Sequence, residues 1–134
     1  EARKWYGVRW KHQGRDRDGV DCVGLPGEIG RSLGLIDFDI RDYSRFATDE
    51  QMLEACAERL IRVKEPQPGD MGVLRYDGSR HMVIFGDYPG GGLSAIHAYS
   101  RAPRRVVEHR FDAGWLASEG AVWLASFRFP GVEA

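Results

Sequence analysis

The chain has 134 residues, of which 43% are hydrophobic and 29% charged, the balance expected of a single globular domain over residues 1–134. Nineteen basic and twenty acidic residues give a net charge of -1, so no direct contact with nucleic acid is expected. Because no apolar run approaches the roughly 18 residues of a membrane helix, no membrane span is expected.

Cysteine usage and the first residues bear on where the chain works. Cys22 and Cys56 make no disulfide framework and no Cys-x-x-Cys metal pair, so two free thiols are expected. The opening residues, EARKWYG, lack the basic, apolar and small-residue order of a secretion signal. If the chain is exported, we therefore expect a route that does not use a secretion signal in these residues.

The stretch GVDCVGLPGEIGRSLG predicts a first helix over residues 19–34. Apolar side chains recur along it at spacings of three or four and form one stripe: Cys22, Leu25, Ile29 and Leu33. Asp21 is the expected cap at its start and Gly34 at its end. This places Cys22 at the N-terminus of the helix, with its sulfur in the seam between helix and sheet.

The remaining elements divide the chain into a helical half and a half rich in strands. A second helix is predicted from Thr48, because TDEQ has the pattern of a capping box, and it makes Cys56 a core residue. After the prolines of EPQPGD, the runs MGVLRY and RHMVIFGD flank a DGS turn and predict a hairpin. Three more strands are predicted in SAIHAYS, RRVVEHRF and AVWLASFRF, with a short helical turn in DAGWLASEG. The predicted class is α+β, with N-terminal helices packed on an antiparallel sheet of about five strands.

A cysteine at the start of a helix lies where its thiol can be activated as a nucleophile. The helix dipole and a nearby imidazolium are expected to lower the pKa of such a thiol from about 8.5 to between about 3.5 and 7.5. Free backbone N–H groups at the same helix end can donate to an oxyanion. Strand alternation puts His81 and His97 on matching faces, where they can act as base and orienting partner for Cys22.

Taken one at a time, each of these residues has an ordinary structural explanation. A lone cysteine in an apolar stripe is more often core than nucleophile, and only the combination with two histidines favours catalysis. A zinc site from the same three side chains is a minor alternative, because no paired-ligand spacing supports it. His12 is expected to line the site or to be an ordinary surface residue, and His109 is expected to face solvent.

Several motifs resemble, in order and spacing, the NlpC-type family of bacterial cell-wall cysteine peptidases: GVRWKHQGRDRDGVDCVGL, PGD at Pro68 to Asp70, HMVIF, and IHA at Ile96 to Ala98. The resemblance covers roughly Trp5 to Phe111. The HQGR and GVDC pattern with a later RVVEHR is most similar to the branch found in tails of phages and gene transfer agents. The resemblance implies a papain-like fold and hydrolysis of peptidoglycan stem peptides, commonly between D-γ-glutamyl and the diamino acid.

The resemblance also implies roles for particular residues. Cys22 is the expected nucleophile, with its backbone N–H binding the oxyanion. His81 is the expected general base and His97 the polar residue that orients it. Neither a metal nor another cofactor is implied.

Three further residues are expected to lie beside this site and to support the oxyanion or line the substrate: Asp21, Trp10 and His12. Many relatives carry a tyrosine where this chain has Trp10, and an indole has one N–H donor and no acceptor. Oxyanion support or substrate position is therefore expected to differ. The glycines of GDYPGGGLS are expected to form a mobile loop that reshapes the mouth of the cleft.

These observations support three functional hypotheses. The first is a peptidoglycan endopeptidase on the tail of a phage-like particle, docked to other tail or baseplate proteins. It would act in the periplasm or cell wall of the target bacterium to aid genome delivery. The second is a structural tail component whose site is weak or inactive. The third is an amidase or acyltransferase that applies the same triad to another acyl substrate.

Overall fold

The computed structural model describes residues 1–36, 48–76 and 79–132. A short 3-10 helix, Ala2–Trp5, comes first. The N-terminal half continues with strands β1 (Arg15–Asp16) and β2 (Gly19–Val20) and helices α1 (Gly24–Ser32) and α2 (Asp49–Arg59). The remaining elements are β3 (Ile61–Val63), β4 (Met71–Tyr76), β5 (Ser79–Asp87), β6 (Leu93–Ala98), β7 (Val106–Phe111), α3 (Ala113–Glu119) and β8 (Val122–Arg128).

In the described residues the main sheet has six strands, in the order β3-β8-β4-β5-β6-β7, and each neighbouring pair is antiparallel. The α+β class is confirmed, and the predicted hairpin is β4 with β5; its turn, residues 77–78, lies outside the described residues. The sheet has one strand more than expected, because β3 has only three residues, too few to show an alternating pattern. Helix α3 lies between β7 and β8, so the helices are not all N-terminal.

The first helix begins at Gly24, later than the predicted start near Cys22. Residues 15–20 contain the two-stranded ribbon of β1 and β2 instead. A Cβ added to Gly24 would lie 2.3 Å from the carbonyl oxygen of Gly14, so the absence of a side chain allows this loop to contact the helix start. Cys22 therefore lies in the turn before the helix.

The apolar stripe of α1 is shorter than predicted. Leu25 and Ile29 are buried, but Leu33 is 54% exposed, because α1 ends at Ser32. Gly34 follows with a φ of +71°, the left-handed conformation expected after a helix end.

The second helix is confirmed together with its cap. The Thr48 hydroxyl accepts from the backbone N–H of Gln51 at 3.1 Å, and the Gln51 side-chain oxygen accepts from the backbone N–H of Thr48 at 3.1 Å. Cys56 is 4% exposed, as predicted for a core residue, and burial raises the pKa of its thiol to about 12.

Each face of the main sheet carries its own cluster of buried side chains. On the α1 face, Leu25 and Ile29 belong to one cluster with Met71, Val73, Met82, Ile84, Ile96 and Phe127. On the α3 face, Trp115 and Leu116 pack on Leu74, Val83, Phe85, Ala95 and Phe111. Side chains alternate along a strand, so His81, His97 and His109 project from the α3 face. No helix in the described ranges is long and apolar enough to cross a membrane.

Candidate active site

A pocket of about 240 Å³ lies at the end of the sheet where β4 and β6 end and β5 begins. The segment before α1 contributes Trp10, His12, Asp21 and Cys22 to its lining, and the strand ends contribute His81 and Arg101 among others. Cys22 thus meets the α3 face at the end of the sheet. The position of the sulfur in the seam between helix and sheet stays a prediction. Cys22 itself precedes the helix, and His81 projects from the face opposite α1.

Asp21 fixes the turn that carries Cys22. Asp21 is 2% exposed, and its carboxylate accepts from the backbone N–H of Gly24 at 2.7 Å and from that of Gln13 at 2.6 Å. The guanidinium of Arg15 lies 3.4 Å away and supplies the opposite charge. Asp21 is not itself the N-cap residue, which is Val23, yet its side chain satisfies an N–H of the first turn. These contacts hold Cys22 at one place on the pocket wall.

Three histidine rings form a row from the pocket across the α3 face. The Nε2 atom of His81 lies 2.5 Å from Nδ1 of His97, and Nε2 of His97 lies 2.9 Å from Nδ1 of His109. We call these three residues the histidine row. His81 is 6% exposed and His97 is fully buried, whereas His109 is partly exposed. Nδ1 of His81 is the ring nitrogen not used in the row.

The protein environment keeps these rings uncharged at neutral pH. Burial, followed by the positive charge of Arg101, lowers the pKa of His81 to about 3. Burial also lowers the pKa of His97 well below its usual value. His81 is therefore a neutral base, in contrast to the imidazolium expected beside Cys22. A neutral ring can accept a proton from a thiol during attack.

His109 is only partly exposed, in contrast to the prediction that it faces solvent. It lies on the same face as His97 because β6 and β7 pair with His97 opposite Val107 and Ala95 opposite His109. The rings of Tyr99 and Trp115 lie 5.1 and 5.4 Å from its ring, measured between centroids. Burial lowers the pKa of His109, and the nearby Glu119 carboxylate opposes that change.

Trp10 and His12 both line the pocket, on the wall formed by the segment before α1. The guanidinium of Arg104 lies over the indole of Trp10, 5.0 Å from the ring centroid. The side chain of His12 is 42% exposed, with Nδ1 4.0 Å from the Asp21 carboxylate. The prediction that residues 88–92 reshape the cleft is wrong. This loop joins β5 to β6 at the ends of these strands that lie away from the pocket, and the part of β5 between His81 and the loop is about 20 Å long.

The rim beside His81 is built around the carboxylate of Glu119 on α3. The hydroxyls of Tyr99 and Tyr76 donate to it at 2.6 and 3.2 Å. Burial and the hydrogen bond to Glu119 raise the pKa of Tyr99 to about 12, so it stays a donor. Arg101 packs on the ring of Tyr76 at 4.7 Å and lies 3.9 Å from Glu119. This contact keeps one guanidinium at the pocket edge.

The arrangement does not fit the zinc alternative. The histidine nitrogens that form the row point at one another rather than at a common point. Among residues 1–36, 48–76 and 79–132, no group of three or more His, Cys, Asp or Glu side chains is placed to hold a metal ion.

Comparison of the sequence with protein-family models and with curated proteins finds no match. Among solved structures, the chain is similar to the crystal structure of the NlpC/p60 domain of the peptidoglycan hydrolase SagA. The TM-score is 0.59, with 23% sequence identity over 94% of this chain and 91% of that chain. The chain has the NlpC/p60 fold.

Within this NlpC/p60 fold, the structure brings Cys22, His81 and the three expected lining residues to one pocket, with His97 directly behind His81. Sequence reasoning missed His109 and the rim residue Arg101. The alternation in VVEHRF does place His109 and Phe111 on one face, but the register of β7 against β6 decides which face that is.

Proposed function

We propose that this chain is a cysteine peptidase that hydrolyses peptidoglycan stem peptides. The observation that carries the proposal is the pocket that Cys22 and His81 share, with His97 in contact with the far nitrogen of His81. Nucleophile, base and orienting group in that order are the parts that acyl transfer by a thiol requires.

The proposed reaction begins with attack of the Cys22 sulfur on the carbonyl carbon of the scissile amide. The thiol proton passes to Nδ1 of His81, and the backbone N–H of Cys22 donates to the oxyanion. The protonated His81 then gives its proton to the leaving amine, and water hydrolyses the thioester. His97 holds the His81 ring in position throughout, as its contact with Nε2 favours.

The substrate class rests on two supports. SagA, whose domain shares this fold, is a peptidoglycan hydrolase. In addition, Arg101 lines the pocket with its side chain 51% exposed, and a guanidinium suits the carboxylates of a stem peptide. We propose the bond between D-γ-glutamyl and the diamino acid as the one cleaved.

The two cysteines provide a matched test of this mechanism. Cys22→Ala is expected to abolish release of peptides from purified sacculi, whereas Cys56→Ala, in the core of α2, keeps the activity of the folded protein. Mass spectrometry of the released muropeptides identifies the bond. Full hydrolysis by the Cys22→Ala protein would reject the mechanism, and a product acylated or deamidated at another position would favour the amidase or acyltransferase alternative.

Trp10 supports a second candidate, a structural component with a weak site. The indole lines the pocket and has no hydrogen-bond acceptor. If it limits the reaction, Trp10→Tyr is expected to raise kcat/KM about tenfold, one hydrogen bond's worth of transition-state stabilisation. An inactive protein whose Cys22 reacts with iodoacetamide as slowly as Cys56 would support the structural role.

We further propose that the domain works on the tail of a phage-like particle, with neighbouring tail or baseplate proteins as partners. The support is the sequence resemblance of residues 12–22 and 105–110 to that branch. Mass spectrometry of particles purified from the producing strain is expected to find the chain in tail fractions. Its confinement to the cell lysate would contradict this location.

A further inference from the structure

We propose that His109 controls whether His81 can act as a base: neutral His109 holds His81 in its reactive form, and protonated His109 blocks it. This inference rests on the proposed function for its catalytic consequence. Its structural basis is the histidine row, in which each ring nitrogen that faces a neighbour lies within hydrogen-bond distance of it. His109 is a positioning residue here, since it does not touch the substrate pocket.

The row allows only two arrangements of protons when all three rings are neutral. A neutral imidazole has one N–H donor and one acceptor, so the direction of one hydrogen bond sets the direction of the next. His81 is a base at Nδ1 only if its Nε2 carries the hydrogen and donates to Nδ1 of His97. His97 must then donate from Nε2, and Nδ1 of His109 must accept.

Protonation of His109 reverses the direction of both hydrogen bonds in the histidine row. Both nitrogens of an imidazolium are donors, so Nδ1 of His109 donates to Nε2 of His97. His97 then donates from Nδ1 to Nε2 of His81, and the hydrogen of His81 is on Nδ1, where no thiol proton can be taken. In total one proton is added, and it binds Nδ1 of His81. The Nε2 hydrogen of His81 moves to Nδ1 of His97, and the Nε2 hydrogen of His97 moves to Nδ1 of His109. The positive charge therefore rests on His109.

The surroundings of His109 make it the end of the row where this charge can rest. His97 and Tyr99 face it from β6, and Trp115 and the Glu119 carboxylate face it from α3. The charged neighbours on β7 itself, Glu108 and Arg110, lie on the other face of the sheet. His109 is also the partly exposed member of the row, so water reaches it before the other two rings.

The first test follows the protons directly in the wild-type chain. Long-range ¹H–¹⁵N spectra of histidine-labelled protein at pH 7.5 are expected to show all three rings with hydrogen on Nε2 only. As pH falls, His109 is expected to become doubly protonated while His81 and His97 change to Nδ1–H. Hydrogen on Nδ1 of His81 at pH 7.5, or unchanged His81 and His97 signals while His109 titrates, would overturn the inference.

Two substitutions at one position provide the second test. The amide oxygen of His109→Asn stands where Nδ1 stood and accepts without titrating, so kcat at pH 7.5 is expected to persist while the acid limb of its pH profile moves to lower pH. His109→Leu removes the acceptor and is expected to lower kcat about tenfold or more, with both tautomers of His81 present. Arg110→Leu, on the same strand but the other face, is the control and should change neither property.

The two proposals fail in different ways. Loss of activity in Cys22→Ala together with unaltered tautomers in His109→Leu would reject the role of His109 alone. Tautomers that depend on His109, in a protein that hydrolyses sacculi without Cys22, would reject the peptidase mechanism and keep the row. Equal kcat and equal pH profiles in His109→Asn, His109→Leu and the wild type would also reject the role of His109.

Discussion

The two faces of the main sheet differ in what they bury. The α1 face buries aliphatic and aromatic side chains against α1, and a representative residue such as Leu25 is 1% exposed. The α3 face buries two uncharged histidines, His81 and His97, beside a smaller aromatic cluster under α3. The histidines tolerate burial because their ring nitrogens bind one another.

This difference indicates that the two faces of the sheet contribute differently to stability and to pH dependence. Burial on the α1 face removes apolar surface from water and stabilises the fold. Burial on the α3 face also lowers the pKa of each histidine, which keeps the bases neutral but costs stability when the pH falls. The α1 face should therefore control stability at every pH, and the α3 face should control how stability and activity depend on pH.

The largest expected effect is on the α1 face. Leu25→Ala is expected to reduce the free energy of unfolding by about 2–5 kcal/mol, because it leaves a cavity between α1 and the sheet. Urea unfolding at pH 7 measures the change. Leu33→Ala is the control, since this leucine is 54% exposed and its loss should change stability by no more than about 0.5 kcal/mol. Equal losses in the two variants would contradict the division between the faces.

The second largest expected effect is the loss of folding stability at low pH that the buried histidines cause. The unfolded chain protonates His81 and His97 near their ordinary pKa of 6.5, while the folded chain keeps them neutral. The unfolded state therefore binds more protons as pH falls below 6.5, and at pH 5 each ring is expected to cost about 2 kcal/mol of stability. Urea unfolding at pH 7 and pH 5 measures this difference.

His81→Gln sharpens the same comparison, because it removes one titrating ring from the α3 face. It is expected to remove about half of the loss in stability between pH 7 and pH 5. Equal stability of the wild type at the two pH values would show that the rings are not kept neutral by the fold.

The smallest expected effect concerns the cover over His109. Trp115 contacts the rings of His97 and His109, and Trp115→Leu is expected to cost about 1 kcal/mol. The exposure of His109 to water then increases, so its pKa rises toward 6.5 and the acid limb of kcat moves to higher pH. A pH series of kcat measures this movement.

Trp123→Leu is the matched control for Trp115. Trp123 packs on Phe85 and Phe111 of the same face and contacts none of the three histidine rings by ring stacking among the described residues. The Trp123→Leu protein is expected to be less stable than the wild type without a change in the pH profile of kcat. An acid limb that moves equally in both variants would mean that general loosening of the α3 face, rather than the cover over His109, sets it.

Local patterns in the sequence predicted most of the elements and the first residues of the site. The Thr48 capping box and the β4–β5 hairpin depend on a few neighbouring residues, and both are confirmed. The start of α1 was misplaced because the ribbon before it is held by contacts between Gly14, Gly24 and Asp21 that no helical period reveals. His109 was misplaced because the face of an edge strand depends on its register with β6.

The parts of the site are widely spaced along the chain. Cys22 and His109 are 87 positions apart (109 − 22), and β5, β6 and β7 must pair before the row forms. A ribosome-bound chain that has not yet released β7, or a chain nicked and separated anywhere in that interval, has a thiol without its complete set of rings. The proposed chemistry therefore becomes possible only after the sheet has formed.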